Sequence, residues 1–166
     1  MTKIETERLV LKKLNTAGKE QLVSLLGNLK ISRTLSNVPY PYTSNDADKW
    51  LEVVGSQEFN LNTFLNEDLI GGVGLSLDED DGLYELGYWL GADYWGRGYA
   101  TESVRGLLDH AKLALQSQIL KANVYKKNKA SANILKKIGF KKVGEGKVFS
   151  LSRQENIASV HYEYRW

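Results

Sequence analysis

Residues Trp95 to Glu102 read Trp-Gly-Arg-Gly-Tyr-Ala-Thr-Glu and stand between a strand-like run and a helix-like one. This junction constrains the fold more than any other stretch of the chain. Upstream, Leu83 to Leu90 reads as a strand. Downstream, a helix to about Gln116 sets Ala100, Val104, Leu107, Leu108, Ala111 and Leu115 on one face. Glycines at such a junction let the backbone turn sharply and come close to a ligand. Unpaired N–H groups at the helix start, with the positive end of the helix dipole, make a site for phosphate. Arg97 adds charge and Thr101 a hydroxyl. Three readings compete. The first is a structural turn. The second is a dinucleotide fingerprint, which needs a third glycine where Thr101 stands and a place near a first strand. The third is a loop that grips the diphosphate of an acyl-CoA.

The rest of the chain mixes helices and strands. Arg8 to Lys12 suits a first strand, and Ala17 to Lys30 a helix with Leu22, Leu25, Leu26 and Leu29 on one face. Both prolines fall in the loop Asn37 to Tyr42. Thr43 or Ser44 can cap a second helix to about Gln57, with Trp50, Val53 and Val54 towards the core. Leu61 to Leu65 and Leu69 to Leu77 read as paired strands, and Asp78 to Gly82 as a solvated turn without calcium-loop spacing. Ile119 to Tyr125 is a strand and Lys129 to Ile138 a helix stopped by Gly139. Phe140 to Val143 and Val160 to Tyr164 supply the last strands. Several strands adjoin in sequence, which argues for an α+β sheet with helices packed on it.

Composition narrows the partners. The 166 residues fit one domain, taken as 1–166, and 25% are charged, against a disordered chain. Cysteine is absent, which removes disulfides, thiolate metal sites and a cysteine nucleophile. No metal site is expected. The charged start is no signal peptide, and no apolar run nears the ~20 residues that span a bilayer, so a cytoplasmic protein without a membrane partner is expected. The net charge of +2 gives no reason for a polyanionic partner. A lysine cluster at 121, 126, 127, 129, 136, 137, 141 and 142 reads as solvated edges, or as attraction for a phosphate-rich ligand. No aromatic-interleaved motif points to nucleic acid.

The diphosphate-loop reading gains from resemblance. The segment resembles the signature of GNAT-superfamily N-acetyltransferases, Gln/Arg-x-x-Gly-x-Gly/Ala, with Gly98 and Ala100 in register and Trp95 at the first position. Four segments in order resemble the branch that acetylates ribosomal-protein N-termini. They are Glu5 to Leu11, Tyr40 to Leu51, Glu85 to Leu90 with Tyr94 to Glu102, and Asn128 to Ser131 with Leu135 to Phe140. The resemblance implies a GNAT-like fold: a mixed, mostly antiparallel sheet of about seven strands flanked by about four helices. It implies acetyl-CoA as donor and a primary amine as acceptor, joined in a ternary complex.

The resemblance also assigns roles. Trp95, Gly96, Arg97, Gly98, Tyr99, Ala100 and Thr101 form the diphosphate loop. Backbone N–H groups near Trp89 and Leu90 face the oxyanion, and the same strand edge pairs with the pantetheine arm. Asn128 binds pantetheine, and Ser131 bonds the coenzyme sulfur; helix capping is the competing role for Asn128 and an ordinary first-turn hydroxyl for Ser131. Glu85 is the candidate base, through water, unless it is an exposed carboxylate paired with a lysine. Glu102 suits the helix dipole alone. His110 and His161 read as structural. Leu135 stands where many members carry a tyrosine that protonates the thiolate, which leaves that role open. Tyr40, Tyr42, Trp50, Tyr84 and Tyr88 are candidates for the acceptor side.

A protein α-amine, with a pKa of about 7.7–8.0, is far easier to use as a nucleophile than a lysine ε-amine at about 10.4. This favours an α-amine or another low-pKa amine, and with the resemblance the first choice of acceptor is the N-terminal α-amine of a (ribosomal) protein. Alternatives are a small amine (polyamine, amino sugar or amino acid), or a non-catalytic acyl-CoA-binding module. The oligomeric state, monomer or homodimer, is open.

Overall fold

The computed structural model describes residues 1–166. The strands are β1 (Lys3–Glu5), β2 (Leu9–Lys12), β3 (Asn60–Leu65), β4 (Asp68–Leu77), β5 (Tyr84–Leu90), β6 (Ile119–Tyr125), β7 (Lys141–Ser150) and β8 (Glu155–Arg165). The helices are α1 (Lys19–Leu26), α2 (Leu29–Ser32), α3 (Ser44–Gly55), α4 (Tyr99–Ala114) and α5 (Lys129–Ile138). One sheet of eight strands runs in the order β1-β2-β3-β4-β5-β6-β8-β7. Every neighbouring pair is antiparallel except β5 and β6.

The sheet is covered on both faces. On one side Val104, Leu107, Leu108 and Ala111 of α4 and Leu135 of α5 pack against Leu11, Leu61, Val73, Leu86 and Leu120. Each large side chain buried there contributes about 1.5–3 kcal/mol. On the other side Leu22 and Leu26 of α1, Ile31 of α2 and Ala47 of α3 meet Phe64 and Leu69. The middle strand β4 is buried from Leu69 to Leu75, as a strand covered on both faces must be.

Several boundaries differ from expectation for physical reasons. The helix expected over Ala17 to Lys30 breaks at Gly27, and Asn28 starts α2 by accepting from the Lys30 N–H. A short strand, β1, precedes the expected first one and forms a hairpin with it. Thr43 and Asp46 form a reciprocal capping box on α3. Val53 is 56% exposed, because Ala47 and Val54 lie on the buried face of α3 and Val53 lies off it. The last hairpin is far longer than expected. Strand β7 is mostly exposed and rich in lysine and glycine, so no apolar alternation marks it.

The parallel pair shapes the site. β5 and β6 are in register only at Tyr84 with Leu120 and Glu85 with Lys121. Beyond that point they part. Leu86 to Leu90 stay paired with β4 on one side and have no strand partner on the other.

Candidate active site

The loop after β5 ends in two left-handed glycines, Gly96 (φ 73°) and Gly98 (φ 82°). Gly98 is the residue before α4, and no side chain caps this helix. The first helical bond is donated by the Glu102 N–H to the Gly98 carbonyl. The amides of residues 96 to 101 therefore have no acceptor within the protein. Consecutive free amides at a helix start, reached through left-handed residues, form an anion-binding concavity. The residues present thus fit a diphosphate, and no side chain of the protein occupies those amides.

The loop is braced from behind. The Arg8 side chain donates to the Arg97 carbonyl at 3.0 Å and to Glu102 at 2.7 Å, and lies 4.5 Å from the centre of the Tyr99 ring. Thr6 donates its hydroxyl to Glu102 at 2.6 Å and the Arg8 N–H donates at 2.7 Å. Burial works to raise the Glu102 carboxyl, but these hydrogen bonds and the Arg8 charge outweigh it and hold it below 4.5. Glu102 is thereby a bracing group with its charge compensated. Trp95 donates its indole N–H to the Leu90 carbonyl at 2.9 Å and ties the loop to the end of β5. The Arg97 side chain is exposed, Tyr99 and Thr101 are buried in the first turn of α4, and Ala100 is half-buried.

Where β5 and β6 part, a cavity of about 700 Å³ opens through the sheet. Glu85, Tyr88, Trp89, Asn123 and Ser131 line it. Glu85 accepts from the Asn123 amide at 2.9 Å. Its cross-strand neighbour Lys121 is drawn away to Asp78 and Asp81, so the lysine pairing considered for Glu85 does not form. The turn at Asp78 to Gly82 is consumed by that ion cluster and does not line the cavity. Part of the lysine cluster is likewise paired: Lys142 and Lys126 hold Glu145, pushing its carboxyl down to about 2.

Ser131 sits in the first turn of α5, and its N–H donates to the Asn128 carboxamide at 3.1 Å, so Asn128 caps that helix. The Tyr88 hydroxyl lies 2.7 Å from the Ser131 Oγ and 3.0 Å from the Ser131 carbonyl oxygen, so its one proton can go to either. Burial pushes the Tyr88 hydroxyl up to about 12, against a smaller opposing effect of the Ser131 hydrogen bond. It stays protonated throughout the working range. Leu135 is fully buried in the core.

The acceptor-side aromatics divide. Tyr42, Trp50 and Tyr88 line the cavity. Tyr40 is exposed, and Tyr84 packs edge-on to Phe59 at 6.4 Å in the core. His110 packs near Phe59, and neither it nor His161 reaches the cavity. Sequence reasoning missed the side chains of Trp89, Asn60 and Asn62. The alternation of β3 and β5 is the signal that could have found them. It also missed the far wall, Val148 and Leu151 of the last hairpin, which nothing local marks.

The fold and this arrangement define an acetyl-CoA-dependent N-acetyltransferase. The family model described as the acetyltransferase (GNAT) domain matches residues 8–141, and the chain belongs to that family. It is similar to the uncharacterised N-acetyltransferase p20 of Bacillus licheniformis, 28% identical over 152 residues, covering 87% of this chain and 85% of the relative. The uncharacterised N-acetyltransferase YoaA of Bacillus subtilis strain 168 is 24% identical over 148 residues, covering 85% and 84%. Among solved structures, a GNAT acetyltransferase from Bacillus anthracis superposes with a TM-score of 0.85 at 19% identity over 99% of this chain and 98% of the other. The ribosomal L7/L12 α-N-protein acetyltransferase RimL, solved with coenzyme A, gives 0.84 at 16% over 99% and 98%. The microcin C7 self-immunity acetyltransferase MccE, solved with acetyl-CoA and AMP, gives 0.81 at 18% over 96% and 93%. Acetyl-CoA is the acetyl donor of this fold. No helix is long and apolar enough to cross a membrane.

Proposed function

We propose that residues 1–166 act as one acetyltransferase domain that moves the acetyl group of acetyl-CoA to a primary amine, first of all the N-terminal α-amine of a protein, ribosomal proteins included. The carrying observation is the run of free amides at residues 96 to 101, in the loop that follows β5, the strand whose edge is free beyond Glu85 where the cavity opens. In this reading residues 96 to 101 hold the diphosphate, and the free edge of β5 holds the pantetheine arm with the Asn128 side chain beside it. Backbone N–H groups near Trp89 and Leu90 face the developing oxyanion. Glu85, steadied by Asn123, takes the proton of the attacking amine through water. Ser131 donates its hydroxyl to the departing sulfur as the carbon–sulfur bond breaks. Tyr88, held neutral, donates in turn to the Ser131 Oγ and frees the serine proton for the sulfur. A cytoplasmic setting belongs to the same proposal.

A small-molecule acceptor is the second reading, and one feature favours it. The turn between β7 and β8 is pinned across one side of the cavity. Leu151 donates to the Ser36 carbonyl, Ser152 to that of Ser32 and Arg153 to that of Arg33, at 3.0, 3.0 and 3.1 Å. The test is release of free CoA thiol with acetyl-CoA and either short peptides with Ala or Ser first, or free amines. The chain has no cysteine, so a thiol reagent reads only product. Faster release with peptides supports the first reading, and release only with free amines supports the second. No release with any amine refutes acetyl transfer at this site.

A further inference from the structure

The acceptor side of the cavity has two unlike ends. On this face of the sheet Asn62 of β3 stands opposite Gly72 of β4, and Gly72 stands opposite Trp89 of β5. Gly72 has no side chain, and the Trp89 indole fills the space. A Cβ built at Gly72 would lie 2.6 Å from the Trp89 Nε1. Directly opposed Cβ atoms lie about 4.5–5.5 Å apart, so the indole N–H is carried to within reach of the Asn62 side chain. Asn62 is only 7% exposed and lines the cavity, yet its carboxamide makes no hydrogen bond within the protein. The Trp89 N–H has no acceptor either, although Trp89 lines the same space. Neither polar group is sealed off from the cavity, so both are free to bond a molecule that enters it.

The other end holds Glu85. Only three charged side chains line the cavity: Glu85, Asp46 and Lys49. Asp46 is spent on the cap of α3, where it accepts from the Thr43 N–H at 2.8 Å and the Thr43 hydroxyl at 2.7 Å. Glu85 is therefore the one carboxylate available to a cationic acceptor. Gly87, whose added Cβ would meet nothing within 4 Å, leaves open floor between the two ends.

We infer that Asn62 and Trp89 form a neutral hydrogen-bonding subsite, which selects a primary amine carrying an uncharged amide group and rejects diamines. The inference rests on the amine-acetylation reading of the same cavity and names its acceptor class. An indole N–H only donates, so it suits a carbonyl oxygen and repels an ammonium. Asn62 can accept from the amide N–H of the same group and donate to its oxygen. A second ammonium placed there would find no carboxylate. A peptide N-terminus carries the selected chemistry, and so does the amide of a single amino acid.

The test compares glycinamide, n-propylamine and 1,3-diaminopropane as acceptors, by release of CoA thiol. The wild type is set against Asn62→Leu and Asn62→Ala, and the ratio of kcat/KM between wild type and variant is taken for each amine. That ratio cancels the amines' different basicities. The expected result is a loss of about tenfold or more for glycinamide, from the missing hydrogen bonds, with less than about threefold for the other two. KM for acetyl-CoA should not move. An equal loss for all three amines, no loss for any, or a loss confined to diaminopropane overturns the subsite. If one variant does not fold, the other carries the same comparison. Wild type that turns over neither these amines nor peptides with Ala or Ser first brings down the acetyl-transfer reading itself, and the subsite with it. Wild type that acetylates the peptides but not glycinamide overturns the subsite alone. Wild type that turns them over, with variants that do not discriminate, removes the subsite alone.

Discussion

Replacing Gly98 by valine is the sharpest perturbation of the loop proposed to hold the diphosphate. Gly98 holds φ at 82°, where a side chain costs about 1–2 kcal/mol and a β-branched one more. A Cβ there would meet only the Arg8 Nη2, at 3.4 Å, so the added atom itself fits. The valine methyls reach further and press on the guanidinium that holds the Arg97 carbonyl and Glu102. The loop then has two ways to respond. If it stays left-handed, the protein loses about 2 kcal/mol of stability, or roughly 4–8 °C in melting temperature for a chain of this size. If it relaxes, stability is recovered but the amides of residues 96 to 101 cease to converge. Losing about two charge-assisted hydrogen bonds, at roughly 1.5 kcal/mol or more each, then costs at least about 100-fold in affinity for CoA. Either response should show as a lower melting temperature, weaker CoA binding, or both. Calorimetric titration of CoA and a thermal melt on the same sample separate them. Normal CoA affinity with a normal melt would refute the assignment of this loop.

Changing Ser131 to alanine should slow kcat more than it raises KM for acetyl-CoA, and Tyr88→Phe should reproduce part of that loss; in the double variant the effects should fall short of additive, because the tyrosine acts through the serine. Glu85→Gln should lower kcat by about 100-fold with acetyl-CoA binding kept, as measured by single-turnover release of thiol. Glu102 should make the protein acid-sensitive. Its carboxyl lies below 4.5 in the folded chain, so its contribution is full above that value and is lost as pH falls through the lowered folded value. Melts across pH 3–7 should show that slope, and Glu102→Gln should flatten it. Leu135→Tyr should not supply a proton donor, because the site is fully buried core; it should cost about 1–3 kcal/mol in denaturant unfolding and leave turnover no faster.

Local chemistry decided which parts of this molecule could be read before seeing the fold. The helix at Lys129 to Ile138 was legible to the residue, because Asn128 caps it and Gly139, at φ 120°, stops it. The sharp turn before α4 was legible for the same reason, since its two glycines, both left-handed, stand just before an amphipathic helix. Edges were not. The lysines and glycines of Lys141 to Ser150 carry no alternation, because that strand has one neighbour and little core to face. The break at Gly27 was hidden by leucines that keep helical spacing across it. The cavity was least legible, because it is made by a register that ends. Nothing in Glu85 or Lys121 announces that β5 and β6 part after them, yet that parting opens the gap, frees the strand edge and exposes Ser131.

The same register explains a substitution that sequence alone left unresolved. With leucine at 135, α5 presents a core residue at the position where the family resemblance implies a tyrosine hydroxyl. The face of β5 that turns towards α5 carries Tyr88, and its hydroxyl reaches the first turn of that helix from the opposite side. In the proposed mechanism the hydroxyl function falls to the strand, and the helix supplies Ser131. A neutral tyrosine pushed up to about 12 is a poor source of a proton for a thiolate whose conjugate acid has a pKa near 8.5. It is a good donor for holding a serine oxygen. In that proposal the departing sulfur is stabilised by a hydrogen bond from Ser131, with no tyrosinate formed. The rate should accordingly show no ionisation of a tyrosine between pH 6 and 9 (an interval far below about 12), and a step in that range that vanishes in Tyr88→Phe would overturn this division of labour.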